Sequence, residues 1–439
     1  MGIVRRLRRA GHVAYLAGGC VRDRLLGVEP QDFDVATEAR PEVVRKLFKR
    51  SQYVGEAFGV VLVYPVNGRD AGPGVEVATF RAEWGYEDGR RPGGVEFTDA
   101  EHDAQRRDFT VNGLFADPLD DELEPLAAGE DKVIDFVDGV KDLEAKVLRA
   151  IGVAEDRFGE DYLRMLRAVR FAARLGFEIE AGTAEAIKAH AGKLGGISRE
   201  RIGQEVRLML TAAPGSCSPA RSGGSGETGG EHPGVVAVEL MQGLGLDGPT
   251  LGGGCVEVEL NALRGVVEGA DTAASYALVL CAWMLDRARA AGSLSDAAGF
   301  AGTDALGVLR GWRKALCLSN EDRDGAARVM GLIARAHNWA ELAVAKRKRM
   351  LAESGWEDAL RLMRVVGPTD VIEKMEAEAL PLVMEGVAPE RFVNGDDILG
   401  MGVPAGPRVG ELLEGVYDAQ LEGRVKDREA GLKWVQRHL

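Results

Sequence analysis

Residues 15–37 read YLAGGCVRDRLLGVEPQDFDVAT. This stretch decides how the chain is read, because two glycines, an Arg-Asp pair and an Asp-x-Asp share one short span. On a strand, successive side chains alternate faces, so Asp32 and Asp34 would project together from QDFDVAT. Two carboxylates so close repel and raise each other's pKa unless a cation sits between them. Mg2+ takes oxygen ligands and commonly combines one or two carboxylates with substrate phosphates. An Asp-x-Asp alone is equally at home on a solvated surface. The preceding Gly18, Gly19 and Arg22 shift the balance. Glycines let a backbone approach closely and turn N–H groups toward a phosphate, and a guanidinium grips phosphate oxygens two at a time. A tight turn would explain the glycines by themselves; beside the acidic pair they read as part of a metal-and-nucleotide site. Glu76, the only charge in VEVATF, would add a third carboxylate or face solvent at a sheet edge.

Outward from this stretch, VAYLA, FDVAT, GVVLVYPV and VEVATFRA are rich in Val, Tyr and Thr and bounded by turn residues, which predicts strands. RPEVVRKLFKR between them has helical spacing. The first 140 residues thus read as a small α/β or α+β domain. From about 141 the pattern becomes helical: KDLEAKVLRAI, DYLRMLRAVRFAARLGF, AEAIKAHAGKL and RERIGQEVRLMLTA repeat apolar residues at intervals of three and four. Residues 213–234, rich in Gly, Ser and Pro, read as a disordered insertion, and helical patterns resume from 235 to 439.

The bulk properties narrow the classes. With 439 residues the chain is too long for one core. No long uncharged apolar run predicts a membrane span, and the basic N-terminus runs straight into the glycine motif, which argues against a cleaved signal. Five scattered cysteines without CxxC spacing point to a reducing cytoplasm and away from structural zinc, and the six histidines show no HxxxH spacing. A net charge of −14 argues against a general polyanion binder. Charge is uneven, however, with 11 Lys/Arg against 6 Asp/Glu in residues 1–50. Further on, Asp161, Arg164, Arg167 and Arg170 are spaced by three, predicting a slowly drifting stripe along one helix. It reads as a solvated face, or as a surface where a carboxylate accepts from an exocyclic amine and guanidinium groups donate to ring atoms.

Four segments in order carry a resemblance to a known family. GGCVRDRLLG…DFDVAT, RRDFTVNGL (106–114), GEDYLRMLRAVRF (159–171) and GGISRERIGQEV (195–206) resemble motifs of the class II CCA-adding enzymes and bacterial poly(A) polymerases. The resemblance covers at least residues 12–210 and recurs near the C-terminus. It implies an α+β fold in which a polymerase-β-like nucleotidyltransferase palm (1–140) precedes an all-helical neck (141–212), then the insertion, then a helical body and tail (235–439) that bind tRNA. It implies metal roles for Asp32 and Asp34, with Glu76 as a third carboxylate, and triphosphate contacts from Arg22 and Arg107. Asp161 and Arg164 would read the incoming base, with Arg167 and Arg170 further along to meet phosphate or hold the pocket. One Asp would select C and A, since both present an amine that U and G lack at the equivalent position. The implied reaction is Mg2+-dependent attack of the tRNA 3′-hydroxyl on CTP and then ATP.

Within the family, the loop RAEWGYEDGRRPGGVEF (81–97) argues against a CC-only enzyme, and GEAFGVVLV (55–63) favours the CCA type over a poly(A) polymerase. The alternatives are an A-only enzyme and a non-catalytic tRNA-binding relative. Gly113 stands where the family usually has Ala, a change expected to loosen packing. CLSNEDRD (317–324) and NGDDILGMGVPAGPRVGELLEGV (394–416) resemble tail-side segments of bacterial members. KRKRM (346–350) is a candidate phosphate contact or a solvated charge run.

Overall fold

The computed structural model describes residues 1–54, 59–64, 74–84, 93–126, 130–212, 231–268, 272–291 and 303–439. The chain forms two compact units: Met1–Val256 with Ala315–Cys317, and Glu257–Lys314 with Leu318–Leu439. The first unit begins with α1 (Gly2–Arg9), β1 (Ala14–Ala17), α2 (Gly19–Leu25), β2 (Asp34–Thr37) and α3 (Pro41–Leu47). Then come β3 (Ser51–Tyr53), β4 (Val60–Val63), β5 (Val75–Thr79), β6 (Arg81–Trp84), β7 (Gly94–Phe97), α4 (Ala100–Gln105), β8 (Phe115–Asp117) and β9 (Lys132–Ile134). Seven of these strands make one mixed sheet in the order β3-β4-β5-β2-β1-β8-β9. β6 and β7 pair separately as an antiparallel hairpin, and the centre of the loop expected at 81–97 lies outside the described residues, as do residues 55–58 of GEAFGVVLV.

Strand alternation divides the sheet's residues between two cores. Leu16, Val35, Val61 and Val77 pack with Val4 and Leu7 of α1 and Val44 of α3. Ala17, Ala36, Phe80 and Phe115 pack on the opposite face with Ala104 of α4, where Phe80 and Phe115 meet edge to face, 6.0 Å apart. Asp34 lies two residues before Ala36 and so belongs to this second face. β2 and β5 run parallel with Asp34 opposite Glu76, and Glu76 lies between Val75 and Val77 of the first core, so it shares that second face. The chain's local alternation thus sets two carboxylates side by side on adjacent strands.

Between α4 and β8, RRDFTVNGL forms a tight corner with a 3-10 turn at Thr110–Asn112. Here the expectation for Gly113 is reversed. A Cβ on Gly113 would stand 2.6 Å from Val137 Cγ2 and 3.2 Å from Ile151 Cδ1, so the space an alanine would need is already filled. Gly113→Ala should therefore cost about 1–3 kcal/mol by overpacking, and adding Val137→Ala should recover part of that loss. Urea midpoints of the two single variants and the double variant test this; a more stable Gly113→Ala would show the corner to be loose instead.

The helical part of the first unit contains α5 (Gly139–Ala145), β10 (Val147–Leu148), α6 (Ala154–Glu160), α7 (Leu163–Leu175), β11 (Glu178–Ile179), α8 (Ala181–His190), α9 (Arg199–Leu210), α10 (Pro233–Gly243) and α11 (Asp247–Leu251). The helix expected across KDLEAKVLRAI stops at Ala145. Lys146 turns left-handed at φ 57°, and Val147 and Leu148 pair in parallel with Glu178 and Ile179. α7 packs on α9 and α10 and ends at Gly176, whose φ of 66° suits a C-cap. Of the expected insertion, 213–230 lie outside the described residues; His232 after them caps α10, its Nδ1 accepting from Gly234 N–H at 3.0 Å.

The described residues of the second unit are helical: α12 (Asn261–Val267), α13 (Tyr276–Ala290), α14 (Thr303–Ala315, whose last residue joins the first unit), α15 (Asn320–Ala336), α16 (Val344–Ala352), α17 (Trp356–Val366), α18 (Thr369–Glu385), α19 (Gly395–Gly400), α20 (Pro407–Leu421) and α21 (Arg428–Arg437). CLSNEDRD and NGDDILG supply capping boxes, Ser319 with Asp322 and Asn394 with Asp397. Most of KRKRM holds the fold together. Arg347 pairs with Glu378, the buried Lys348 with Glu385, and Arg349 with Glu414 and Asp418. Only Lys346 of the run stands exposed.

Candidate active site

A cleft of about 710 Å³ opens within the first unit. Every candidate from the sequence except Glu76 lines it: Gly18, Gly19, Arg22, Asp32, Asp34 and Arg107 before the helical part, and Asp161, Arg164, Arg167 and Arg170 within it. Eight arginines and five aspartates share the lining, and Glu83, Asp103, Glu160 and Glu205 beside it pair with four of those arginines, so the cleft is densely charged in both signs.

On the sheet side, Asp34 starts β2 and Asp32 precedes it, outside the strand. Although Asp34 is open to solvent on the cleft wall, partial withdrawal from water and the nearby Glu76 push its carboxyl up to about 6; Asp32 adds to the rise and Arg107 opposes it. The group is crowded by negative charge in a way that a cation would relieve. Among the described residues no three acidic, His or Cys side chains are gathered closely enough to hold a metal ion by themselves. The structure therefore offers an all-oxygen carboxylate pair. Glu76 is adjacent to Asp34 across the ladder but outside the cleft lining. Such a pair suits a hard divalent cation that completes its shell from water and phosphate.

The two glycines have different reasons to be there. Gly18 has φ 73°, which calls for glycine by conformation, and a Cβ on it would stand 2.9 Å from Arg107 Nη1 and push that guanidinium aside. Gly19 has no such constraint, since its Cβ would meet only Arg22 Nη2 at an ordinary 3.6 Å. Arg107 is held by Asp103 at 3.0 Å and by the Asn112 carbonyl at 3.2 Å. Arg22 is 3% exposed. It donates to Asp23 Oδ1 at 2.6 and 2.8 Å and to Asn112 Oδ1 at 2.6 Å, so it forms the floor of the cleft rather than a projecting arm.

The stripe expected from Asp161 to Arg170 is not one helical face. α6 ends at Glu160 and α7 begins at Leu163, with Asp161 between them in extended conformation (φ −153°, ψ 103°). Its carboxylate accepts from Leu163 N–H at 3.0 Å, serving a donor at the start of α7. It also pairs with Arg201 of α9 at 2.5 Å. Arg164, Arg167 and Arg170 do lie along α7, and each has a carboxylate partner: Glu160 for Arg164, Asp108 at 2.6 Å for Arg167 and Glu205 at 2.7 Å for Arg170. These are the salt bridges of a lined cleft, not of a solvated face.

Asp108, Asn112 and Arg201 were not singled out by sequence reasoning. Burial alone would raise the Asp108 carboxyl, but Arg167, the Asn112 amide and Arg164 outweigh it and hold it down at about 2. Asn112 donates to Asp108 Oδ1 at 3.1 Å while accepting from Arg22. The signals available were the spacing of Asp108 and Asn112 within RRDFTVNGL and the Arg201 of SRERIGQEV; neither shows its partner in sequence.

Comparison with known proteins bears on what this cleft does. A family model described as the Poly A polymerase head domain matches residues 14–149, and one described as a probable RNA and SrmB-binding site of polymerase A matches 176–216. A CCA-adding enzyme of Lactiplantibacillus plantarum is 46% identical over 209 residues, a match spanning 47% of each chain and hence about half of that relative's length. The CCA-adding enzyme of Limosilactobacillus fermentum is 32% identical over 427 residues, covering 96% of this chain and 92% of its own. The crystal structure of a Bacillus stearothermophilus CCA-adding enzyme in complex with CTP superposes with a TM-score of 0.65 at 27% identity, covering 100% of this chain and 96% of that one.

Proposed function

The chain belongs to the CCA-adding enzyme family, and from this premise we propose that it adds C, C and A to the 3′ end of tRNA, taking CTP and ATP and releasing pyrophosphate. The observation that carries the reading is one cleft lined both by the Asp32–Asp34 pair and by Asp161 with the arginines of α7. A reaction centre and a base-reading surface lie together, so no template strand is needed.

In each step the oxygen of the tRNA 3′-hydroxyl bonds to the α-phosphorus, the bond from that phosphorus to the β-phosphate oxygen breaks, and the hydroxyl proton is lost. Asp32 and Asp34 would hold Mg2+, with Glu76 acting on the pair through Asp34. Bound there, the ion would lower the pKa of the attacking hydroxyl and offset charge on the phosphate oxygens. Arg107, fixed by Asp103, and Arg22 at the floor set the positive field in which the triphosphate lies. Asp161 offers only acceptors as a carboxylate, which favours the amines of C and A, and Arg164 donates to ring atoms or carbonyls. Arg201 fixes the direction in which Asp161 presents those acceptors. The CTP-bound relative speaks for C addition and against an A-only enzyme.

Residues 1–140 serve as palm and 141–212 as neck, while 235–439 take the acceptor arm of the tRNA. No helix among the described residues is long and apolar enough to cross a membrane, and we assign the activity to the cytoplasm. The test is tRNA lacking its terminal CCA, incubated with each labelled nucleotide and Mg2+. Two C and one A followed by a stop are expected. ATP alone in a long ladder would make the protein a poly(A) polymerase, and absence of product would leave only a binder.

A further inference from the structure

Phe171 of α7 is 7% exposed and lines the cleft. Three guanidinium groups gather on its ring. Arg170, Arg167 and Arg22 have their central carbons 4.3, 5.2 and 5.4 Å from its centroid. Two of them come from the same helix, but Arg22 comes from α2, beside the glycine turn. Phe109 braces Phe171 with an edge contact at 6.0 Å. Three like charges around one point repel, and packing alone does not need them there. What holds them is the negative face of the ring together with a set of polar partners. Arg22 donates to Asn112, Asn112 to Asp108, and Arg167 to the other oxygen of Asp108 at 2.8 Å, while Arg170 is tied to Glu205. Asn112 and Asp108 therefore link Arg22 to Arg167 by hydrogen bonds, and Phe171 links them again through its ring.

We propose that Phe171 is a positioning residue that makes Arg22, on the glycine-turn side, and Arg167, on the base-reading helix, one mechanical unit. A bound nucleoside triphosphate then meets the glycine-turn side and α7 as one surface rather than as independent cations. The inference rests on the nucleotide-binding reading of the cleft given above. Asn112 and Asp108, with Asp23 on Arg22, hold the two guanidinium groups through their N–H edges, while Phe171 is a side chain that both stand over.

The experiment is a double-substitution cycle on the full-length protein, read by calorimetric binding of CTP. Arg22→Lys, Arg167→Lys and their combination are compared in three backgrounds: native, Phe171→Met and Phe171→Tyr. In the native background the combined loss should fall short of the product of the single losses by about ten-fold, the mark of coupled residues. Phe171→Met keeps bulk but removes the aromatic face. It should weaken CTP binding about ten-fold and make the two losses multiply, whereas Phe171→Tyr keeps both affinity and coupling. If Phe171→Met lacks a cooperative melt, Phe171→Leu takes its place. Multiplicative losses in the native background, or undiminished coupling in Phe171→Met, overturn the inference. A native protein that binds neither CTP nor ATP overturns the nucleotide-binding reading beneath it.

Discussion

Asp34→Asn is expected to abolish nucleotide addition, by about a thousand-fold or more, while the protein keeps its cooperative melt. The two effects come from one property of the residue. Its carboxyl is pushed up to about 6 by withdrawal from water and by Glu76, so the ionised form is disfavoured in the folded chain until a cation shares the site. Removing that charge removes half of the carboxylate pair, and a thousand-fold loss corresponds to about 4 kcal/mol of transition-state stabilisation, within the range of a metal-assisted step. In magnesium-free buffer the same change should raise the melting temperature slightly. The sign follows from linkage: a carboxyl whose folded pKa lies above its unfolded value of 3.8 costs stability when ionised. The gain from asparagine should therefore be present above about pH 6 and fade as the pH falls toward 4. Because Asp34 opens to solvent in the cleft, screening keeps the gain small. Single-turnover incorporation beside melts at pH 7.5 and 4.5 checks both statements. Activity within ten-fold of the native protein would remove Asp34 from the reaction centre.

Asp161→Asn should act on selectivity rather than on speed alone. An amide offers a donor as well as an acceptor, so it can turn its NH2 toward the carbonyl that uracil presents where cytosine presents an amine. Loss of one charge-assisted hydrogen bond to the amine is worth about 1–3 kcal/mol. The preference for CTP over UTP, measured as the ratio of kcat/KM values, should accordingly fall about 10- to 100-fold. The substitution also breaks the ion pair with Arg201 while leaving an acceptor for Leu163 N–H, so α7 keeps its first turn. An unchanged ratio would show that the base is read elsewhere.

The parts of this site that were legible in sequence are those written in local pattern. β1, β2, β4 and β5 follow from short alternating runs, and α7 and α9 from apolar spacing. Gly18, Asp32 and Asp34 stand out because special residue types crowd one turn. What sequence did not show depends on partners distant along the chain. The gap between α6 and α7 contains no Gly or Pro, so a spacing of three continued through it on paper; the bonds from Asp161 to Leu163 and Arg201 mark where it breaks. KRKRM looked like a free basic run because Glu378, Glu385, Glu414 and Asp418 belong to later helices. Gly113 could not be judged without Val137, which fills the space beside it. Asn112 needs Arg22 and Asp108 before it has a role at all.

The order of the sheet carries a consequence for how the chain folds. β2 lies parallel to β5, and the chain passes through α3, β3 and β4 before Glu76 can stand opposite Asp34. On the other side of β1, Leu16 pairs with Ala116, 100 residues further along the chain. The acidic face is therefore assembled from non-local pairings, the slow class of contacts in folding. Among the α7 arginines, Arg164 finds Glu160 four residues away, whereas Arg167 reaches Asp108 across 59 residues and belongs to the same slow class. During synthesis from the N-terminus, the central strand β2 has both neighbours once β5 has emerged, and β8 later covers the other side of β1. Asp32 and Asp34 are thus neighbours from the start, and Glu76 joins them only in a chain that has already laid down β3, β4 and β5.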